Sequence, residues 1–448
     1  MARAAVILAA GQGTRMKSAK PKVLHAVAGL PILGHVVAAI RGAGVERIVV
    51  VSAPAMEDVR GYASSLGAEN AVQDKPLGTG HAALAAGGVL GRFEGALLVN
   101  NGDMPLAQPA MMAESLASAE AAGLSLVAFR PKDPAQYGRV LVRPDGMLDR
   151  IVEFKDATPA QRAVDLCCAG TYSAASAAKF FQWAGGLGND NAQKEYYLPE
   201  VPLVAARDGV GCAITLAPEI DVMGVNSRSE LADAERAMQQ RLRARALESG
   251  VGMIAPETVF LCHDTVLAPD VQIGPYVVFG PGVRVESGVE IRSHCHLEGA
   301  HIATGAVIGP YARLRPGARI EEDVHIGNFV EVKNARIARG AKANHLSYLG
   351  DATVGAGANI GAGTITCNYD GFDKYHTEIG AGAFIGSNAA LVAPVTIADG
   401  TYVGAGSVIT RATAKDSLAV TRAEQKEIAG WAEKFRIRKK AEKAARKK

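Results

Sequence analysis

The 448-residue sequence has few cysteines and no apolar run long enough to span a bilayer. None of its six cysteines forms a C-x-x-C pair, which argues against a zinc ribbon or a disulfide framework. The short apolar start, AAVILAAG, leads into a polar loop and not into a cleavage site. We therefore expect free thiols, a cytoplasmic location and no membrane partner.

An excess of charge of one sign is also missing. The chain has 48 Lys and Arg residues against 45 Asp and Glu, a net charge of +3. This balance argues against a nucleic-acid partner that covers the whole molecule. The basic residues gather in the final stretch, EKFRIRKKAEKAARKK, which we interpret as a solvated terminus.

The length exceeds that of one typical core, and the first part of the chain has its own pattern. Short apolar runs such as RIVVV, GALLVN and LSLVAF alternate with helix-like segments such as PILGHVVAAIRGAG. This alternation predicts an α/β, doubly wound, mostly parallel sheet over residues 1–226, with ligands beyond the carboxyl ends of its strands. The stretch SRSELADAERAMQQRLRARALESG predicts a linking helix over 227–250.

The pattern changes in the second half, where aliphatic residues recur every six positions. A six-residue period is typical of a parallel β-helix, in which each coil stacks its aliphatic side chains on those of the next. We predict such a domain over 251–448. The first series, with one five-residue step, is Ile273, Phe279, Val285, Ile291, Leu297, Ile302, Ile308, Leu314, Ile320, Ile326 and Val332; the second is Ile379, Ile385, Leu391, Ile397, Val403 and Ile409.

A passive spacer or an oligomerisation rod would also explain the repeats, but one interruption argues against it. Between Ile360 and Ile379 the stretch GAGTITCNYDGFDKYHT breaks the period, and we expect it to project from the solenoid. Just before it lies KANHLSYLGD, which contains His345, a natural base near pH 7. Lys333 and Arg315 nearby suit an anionic ligand.

A glycine-containing loop, LAAGQGTRMKSAKPK, follows the first apolar stretch. A dinucleotide fingerprint would need glycine where Met16 stands, and the spacing of a P-loop is absent. What remains is a glycine turn followed by the cations Arg15, Lys17 and Lys22. From these residues alone, a phosphate-binding loop and a purely steric turn stay open.

Further motifs accompany this loop: QDKPLGTGHA, NGDMP and GVNSR in the first half, and ARLRPGA, GNFVEVKNA, HLSYLGDA and NIGAGTITCNYDG in the second. Together they resemble the bacterial bifunctional N-acetylglucosamine-1-phosphate uridyltransferases/glucosamine-1-phosphate acetyltransferases, from Leu8 to about Arg422. The resemblance implies that the loop binds UTP and that the β-helix is left-handed, against the usual crossover rule.

For the first domain, the resemblance implies transfer of UMP from UTP to N-acetylglucosamine 1-phosphate. Arg15 and Lys22 would be catalytic cations, and Asp103 and Asn226 would hold Mg²⁺, which prefers oxygen ligands. Glu195 is a further candidate for the sugar pocket. The residues expected to bind UTP or the sugar nucleotide are Leu8, Ala9, Ala10, Gly11, Lys22, Gln73, Gly78, Thr79, Asn101, Gly102, Asp103, Gly138, Glu153, Cys168 and Asn226.

For the second domain, the resemblance implies transfer of acetyl from acetyl-CoA to glucosamine 1-phosphate, with His345 as the base. An open β-helix flank offers no closed pocket, so a neighbouring subunit is expected to wall the site, and the resemblance implies a homotrimer. The sugar phosphate would be bound by Arg315, Lys333, Tyr348 and Asn359. Acetyl-CoA would be bound by Ala362, Asn368, Tyr369, Ser387, Ala405 and Arg422.

One stretch departs from the family's pattern. Where the family usually has Asn-Thr-Gly on the sugar side, this chain has Cys168, Ala169 and Gly170. A thiol is a weaker hydrogen-bonding group than an amide, so one sugar contact is expected to be lost or taken over by neighbours. Two alternatives remain: a monofunctional nucleotidyltransferase with a structural β-helix, and a binding protein that lost its chemistry.

Overall fold

A computed structural model describes residues 2–446. The chain folds as two compact units. The first runs to Arg245 and includes Phe260–His263, and the second contains Ala246–Val259 and the chain from Asp264 onward. Within the described residues, no helix is long and apolar enough to cross a membrane.

The first unit alternates strands and helices, as the sequence pattern predicts. Its strands are β1 (Arg3–Leu8), β2 (Ala26–Val27), β3 (Leu30–Pro31), β4 (Arg47–Ser52), β5 (Glu69–Val72), β6 (Ala96–Asn101), β7 (Gly123–Phe129), β8 (Arg139–Val142), β9 (Leu148–Val152), β10 (Cys167–Ala174) and β11 (Gly211–Leu216). The helices are α1 (Ile32–Gly42), α2 (Glu57–Ser65), α3 (Thr79–Ala85), α4 (Gly87–Leu90), α5 (Pro109–Ala122), α6 (Pro159–Arg162), α7 (Ala177–Gly185), α8 (Val201–Ala206) and α9 (Arg228–Glu248), the last being the predicted linking helix.

The main sheet has the strand order β11-β7-β10-β6-β1-β4-β5. Along this order the pairs are parallel except for β10, which runs antiparallel to β6 and to β7. Beside this path, β8 pairs antiparallel with β10 and with β9. Alternate residues of β1 face opposite sides: Ala4 and Val6 pack with α3 and α7, while Ala5 and Ile7 pack with α1 and α5. Helices therefore cover both faces of the sheet, which confirms the doubly wound fold.

The second unit consists of short strands in two long sheets, and every strand pair in those sheets is parallel. The strands are β12 (Gly252–Met253), β13 (Val266–Leu267), β14 (Gln272–Ile273), β15 (Val278–Phe279), β16 (Arg284–Val285), β17 (Glu290–Ile291), β18 (His296–Leu297), β19 (Ala300–Ile302), β20 (Val307–Ile308), β21 (Arg313–Leu314), β22 (Ala318–Ile320), β23 (His325–Asn328), β24 (Glu331–Ile337), β25 (Lys342–His345), β26 (Tyr348–Val354), β27 (Asn359–Ile360), β28 (Ile365–Cys367), β29 (Thr377–Ile379), β30 (Phe384–Ile385), β31 (Ala390–Val392), β32 (Val395–Ile397), β33 (Tyr402–Val403), β34 (Val408–Ile409) and β35 (Leu418–Ala419).

The six-residue period builds the core of this β-helix. Ile273 pairs with Ile291, which lies three repeats later, and Ile291 pairs with Ile308 on the next coil. All the aliphatic residues predicted to face inward are buried. The interrupting segment projects as expected, with Phe372 91% exposed. After the last coil, the basic terminus forms an exposed helix, α10 (Trp431–Ala445), without a buried residue.

Candidate active sites

A cavity of about 280 Å³ lies where β1 and β6 end, and it gathers most of the residues expected to bind UTP. Parallel neighbouring strands bring their carboxyl ends to one edge of the sheet, which explains the gathering. Gly102 directly follows β6, and its N–H donates to the Leu8 carbonyl at 2.9 Å. The expected residues on its wall are Leu8, Ala9, Ala10, Gly11, Lys22, Gln73, Gly78, Thr79, Asn101 and Asp103.

The loop after β1 is shaped by two local constraints. The Ala9 N–H donates to the Val51 carbonyl at 2.8 Å, so the loop leaves the sheet only after residue 9. Gly13 has φ +62°, and a Cβ there would lie 2.8 Å from Cβ of Lys22. Glycine at this position therefore allows Lys22 to lie close against the loop.

The structure adds two observations about this loop. Because the Ala9 N–H is engaged by the sheet, it is not a phosphate donor, and any donors at this turn come from Ala10 onward. Arg15 lies in a short 3-10 turn, Thr14–Met16, with its side chain exposed, and it lines neither this cavity nor the adjoining one. The sequence pattern groups Arg15 with Lys22, but the turn separates them.

The nucleotide-side wall is held by contacts with a distant segment. Gln73 is buried, and its side-chain amide donates to the Gly78 carbonyl at 3.1 Å. Gly78 has φ +104°, and a Cβ there would lie 2.7 Å from the Tyr196 carbonyl oxygen. The Thr79 hydroxyl accepts a hydrogen bond from the Leu198 N–H at 3.1 Å. A residue larger than glycine at position 78 would push these two segments apart.

Asp103 and Asn226 converge on one cation, the ammonium of Lys22. Lys22 Nζ lies 2.5 Å from Asp103 Oδ2 and 2.9 Å from Asn226 Oδ1. The backbone fixes this spacing, because the Val225 N–H donates to the Asp103 carbonyl at 2.9 Å. Glu230 accepts the Asn226 N–H at 2.5 Å. A carboxylate and an amide oxygen turned toward a positive charge are a donor set that fits Mg²⁺.

A second cavity, of about 360 Å³, adjoins the first and shares Thr79, Asn101, Asp103 and Glu195 with it. It contains the expected sugar-side residues Gly138, Glu153 and Cys168, and also Asn226 and Glu195. Sequence reasoning missed several polar residues of its wall, although each lies within two positions of Gly138 or Glu195. These are Gln136, Tyr137, Gln193 and Tyr197.

Glu153 and Cys168 are perturbed by their surroundings in this cavity. Burial, helped by the charge of Asp156, raises the pKa of Glu153. Burial also raises the pKa of the Cys168 thiol to about 11, so the thiol is neutral at pH 7. Its sulfur lies 3.2 Å from the Tyr172 hydroxyl and accepts the Gly170 N–H at 3.3 Å. The thiol is therefore engaged by its own strand.

In the second unit, a series of hydrogen bonds to carbonyl groups runs along one corner of the β-helix. It includes His345, the expected base, and four of the residues expected to bind acetyl-CoA. It joins coil to coil in the order of the chain and brings together residues far apart in sequence. The Gly363 N–H donates to His345 O at 3.4 Å, Asn388 N–H to Ala362 O at 2.7 Å, Gly406 N–H to Ser387 O at 2.8 Å, and the Arg422 guanidinium to Ala405 O at 2.8 Å.

His345 ends β25 with an exposed imidazole at this corner. Its Nδ1 lies 2.7 Å from Oδ1 of Asn328, on the preceding coil. An amide oxygen only accepts, so Nδ1 carries a hydrogen, and in the neutral imidazole the lone pair is then on Nε2. The imidazole is thus oriented as a base.

Cations gather on the neighbouring coils. Lys333 is paired with Gly350 in the sheet, and Arg315 donates to Glu331 at 2.8 Å, a bond that raises the pKa of Arg315. The positive charge of Lys374, from the projecting segment, lowers the pKa of Lys333. Sequence reasoning missed Lys374, which only the fold of the projecting segment brings here. The group suits a phosphate.

The remaining expected residues differ in burial and in their contacts. Asn368 is buried, and its amide donates to Asp351 at 2.5 Å and lies 3.5 Å from the Tyr348 hydroxyl. Asn359 begins β27, paired with Lys342 on the coil before it. Tyr369 is 60% exposed, and its hydroxyl donates to the Gly371 carbonyl within the projecting segment.

The doubly wound sheet with its phosphate-side cavity and the hexapeptide β-helix define a two-domain transferase. Residues 5–170 match the MobA-like NTP transferase domain, and residues 376–411 match the bacterial transferase hexapeptide, six repeats. The chain joins a nucleotidyltransferase domain to a hexapeptide acyltransferase domain.

Whole-chain comparisons give the family. The chain is 54% identical to the bifunctional protein GlmU of Rhodospirillum rubrum over 97% of each chain. It is 54% identical to that of Acidiphilium cryptum, over 98% of this chain and 99% of the relative, and 48% identical to that of Paramagnetospirillum magneticum over 98% of each. The chain belongs to the GlmU family of bifunctional enzymes.

Proposed function

We propose that this chain makes UDP-N-acetylglucosamine in two reactions. Residues 251–448 acetylate glucosamine 1-phosphate with acetyl-CoA, and residues 1–226 then transfer UMP from UTP to the product. The observation that supports the proposal is that one chain contains two separate groups of side chains, each suited to one reaction: the Lys22, Asp103 and Asn226 centre, and the His345 corner.

In uridyl transfer, a phosphate oxygen of the sugar attacks the α-phosphorus of UTP, and the bond to pyrophosphate breaks. The protein aligns the two phosphates and neutralises their charge. The loop from Ala10 and the ammonium of Lys22 take the triphosphate side, in the cavity that they line. Mg²⁺ held by Asp103 and Asn226 would supply further charge neutralisation at the phosphate oxygens.

The sugar lies in the adjoining cavity. Glu153 and the Gly138 backbone provide hydrogen-bonding groups, and a Cβ on residue 138 would stand 3.2 Å from Glu153 Oε1. Glycine thus leaves the carboxyl group accessible to a sugar hydroxyl. Gln73, Gly78 and Thr79 form the opposite, uracil side.

In acetyl transfer, Nε2 of His345 removes a proton from the amine of glucosamine 1-phosphate. The amine nitrogen then bonds to the acetyl carbon, and the CoA thiolate leaves. Arg315 and Lys333 hold the sugar phosphate, while Tyr348 and Asn359 contact the sugar. Acetyl-CoA follows the corner with Ala362, Ser387 and Ala405 to Arg422, and Asn368 and Tyr369 lie at its acetyl end.

The corner that bears His345 and Ala362 is a surface and not an enclosed pocket. We therefore include in the proposal a homotrimer, in which a second copy of this chain covers the corner. Enclosure would exclude water from the thioester and strengthen the contacts with the phosphate.

The test is to incubate the purified chain with glucosamine 1-phosphate, acetyl-CoA, UTP and Mg²⁺ and to analyse the products. We expect UDP-N-acetylglucosamine and pyrophosphate, and no sugar nucleotide when acetyl-CoA is omitted. Sugar nucleotide formed only when N-acetylglucosamine 1-phosphate is supplied would show a monofunctional nucleotidyltransferase. Formation of neither N-acetylglucosamine 1-phosphate nor, with that compound supplied, a sugar nucleotide would overturn both assignments.

A further inference from the structure

The Lys22 ammonium contacts the two oxygens assigned to Mg²⁺, and this contact is largely shielded from solvent. The side chains of Lys22 and Asp103 are only 12% and 18% exposed. Nζ reaches the carboxylate at 2.5 Å and the Asn226 amide oxygen at 2.9 Å. Both protein oxygens are thus used by the same positive group.

The backbone around Lys22 directs its side chain to this point. Lys22 begins the short 3-10 turn Lys22–Leu24, whose other residues, Val23 and Leu24, are buried. Its Cβ occupies the space that a side chain at position 13 would need, and glycine at that position leaves the space free. With the stem confined, the ammonium has a defined position, and leaving it requires rotation of the outer methylenes.

Lys22 and a divalent cation cannot share these oxygens. Mg²⁺ binds oxygen at about 2.0–2.1 Å, so a metal on Asp103 and Asn226 would touch an ammonium that already lies within hydrogen-bonding distance of both. At such a separation, two positive charges in a partly buried site repel strongly. Binding of the metal therefore displaces Lys22.

We propose that Lys22 is a built-in competitor of the metal, which leaves Asp103 and Asn226 only when a triphosphate offers it another anionic partner. The inference rests on the proposed uridyl transfer. Lys22 lines the cavity with Ala10, Gly11 and Gln12, so the triphosphate side is within its reach. Nucleotide and metal then bind with positive coupling. The triphosphate draws Lys22 away from the metal oxygens, and the metal in turn frees Lys22 to contact the triphosphate.

The test measures Mn²⁺ binding to the full-length, nucleotide-free protein by electron paramagnetic resonance, with no turnover involved. Lys22→Met removes the charge at nearly constant length, and we expect it to bind Mn²⁺ at least about tenfold more tightly than the parent chain. Lys22→Arg, which keeps the charge, should bind as weakly as the parent. Lys17→Met is the matched control, since Lys17 is exposed and lines neither cavity.

Two further variants make the outcome decisive. Lys22→Gln also lacks the charge but keeps a donor for Asp103, so it replaces Lys22→Met if that variant does not fold. Adding Asp103→Asn to either variant should abolish the gain, which places the metal on the assigned oxygens. Unchanged or weaker Mn²⁺ binding by the uncharged variants would overturn the inference.

The inference and the proposed function fail separately. Suppose that the chain forms UDP-N-acetylglucosamine but Lys22→Met and Lys22→Gln bind Mn²⁺ no more tightly than the parent. The proposed function would then stand, and the inference about Lys22 would be wrong. Suppose instead that the chain forms no sugar nucleotide but its uncharged variants bind Mn²⁺ more tightly. The proposed function would then be wrong, and the competition between Lys22 and the metal would stand.

Discussion

His345 and Asn328 lie on adjacent coils, with 2.7 Å between Nδ1 of the imidazole and Oδ1 of the amide. The two residues face each other in the sheet register of β23 and β25. The contact orients the exposed ring and assigns its hydrogen to Nδ1. The His345 ring is exposed to solvent, so its orientation is set by a residue of the neighbouring coil and not by its own strand.

Replacing the base should separate the two activities. We expect His345→Ala to lower the rate of acetyl transfer by roughly 10²–10⁴-fold, the usual effect of removing a positioned base. Uridyl transfer by the same preparation should remain unchanged, because the first unit has its own cores. Acetyl transfer is measured by release of CoA thiol. A variant that loses both activities while remaining folded would contradict one reaction per domain.

Asn328→Ala tests orientation alone. Loss of one hydrogen bond of about 0.5–1.5 kcal/mol should lower acetyl transfer only about threefold to tenfold. An unchanged rate would show that the contact does not position the imidazole.

Asp103→Ala should give the reverse separation. The substitution removes one of the two oxygens around Lys22 and leaves the ammonium with Asn226 alone. We expect the rate of uridyl transfer to fall at least about 100-fold, because electrostatic groups at a reacting phosphate contribute several kcal/mol. The rate is measured by the release of pyrophosphate. Acetyl transfer by the same variant should be unaffected. Retained pyrophosphate release would remove Asp103 from the catalytic centre.

Cys168→Asn tests the departure on the sugar side. Cys168 lines the sugar cavity, but its neutral thiol is engaged by Tyr172 and Gly170. An amide at this position adds a donor and an acceptor, so we expect the apparent Michaelis constant for N-acetylglucosamine 1-phosphate to fall about threefold to tenfold. Acetyl transfer serves as the control. A constant that does not fall would identify the cysteine as a packing substitution.

Glu153 should make the stability of the first unit depend on pH. Burial raises its pKa above the ordinary value of 4.5, so the protonated form is favoured by folding. Its contribution to stability is fully present below pH 4.5 and is lost as the pH rises through the folded-state pKa. Glu153→Gln should therefore raise the melting temperature at pH 8 but not at pH 4, while weakening sugar binding.

The exposed Glu94→Gln is the control for this prediction. It should leave the melting temperature unchanged at both pH values. Equal melting temperatures for Glu153→Gln and the parent at pH 8 would show that the carboxyl group is not destabilised by its burial.

Much of the second unit follows from sequence alone. A side chain at every sixth position faces inward on any coil, whatever the other residues are, so Ile291 and Ile308 were predictable as core. Likewise, strands that alternate with helices predicted the sheet of the first unit, because a parallel sheet needs a crossover for each strand. The motifs also supplied most of the residues proposed for both candidate sites, and their roles stay predictions.

Tertiary structure alone decided which of those residues meet. Lys22 contacts Asp103 and Asn226 although 81 and 204 positions separate them, and Arg15, seven positions from Lys22, lies outside both cavities. Lys374 likewise reaches Lys333 only through the fold of the projecting segment. Periodicity records which way a side chain faces within its own element. Contacts between distant loops depend instead on strand order and loop path, which no local pattern in the sequence encodes.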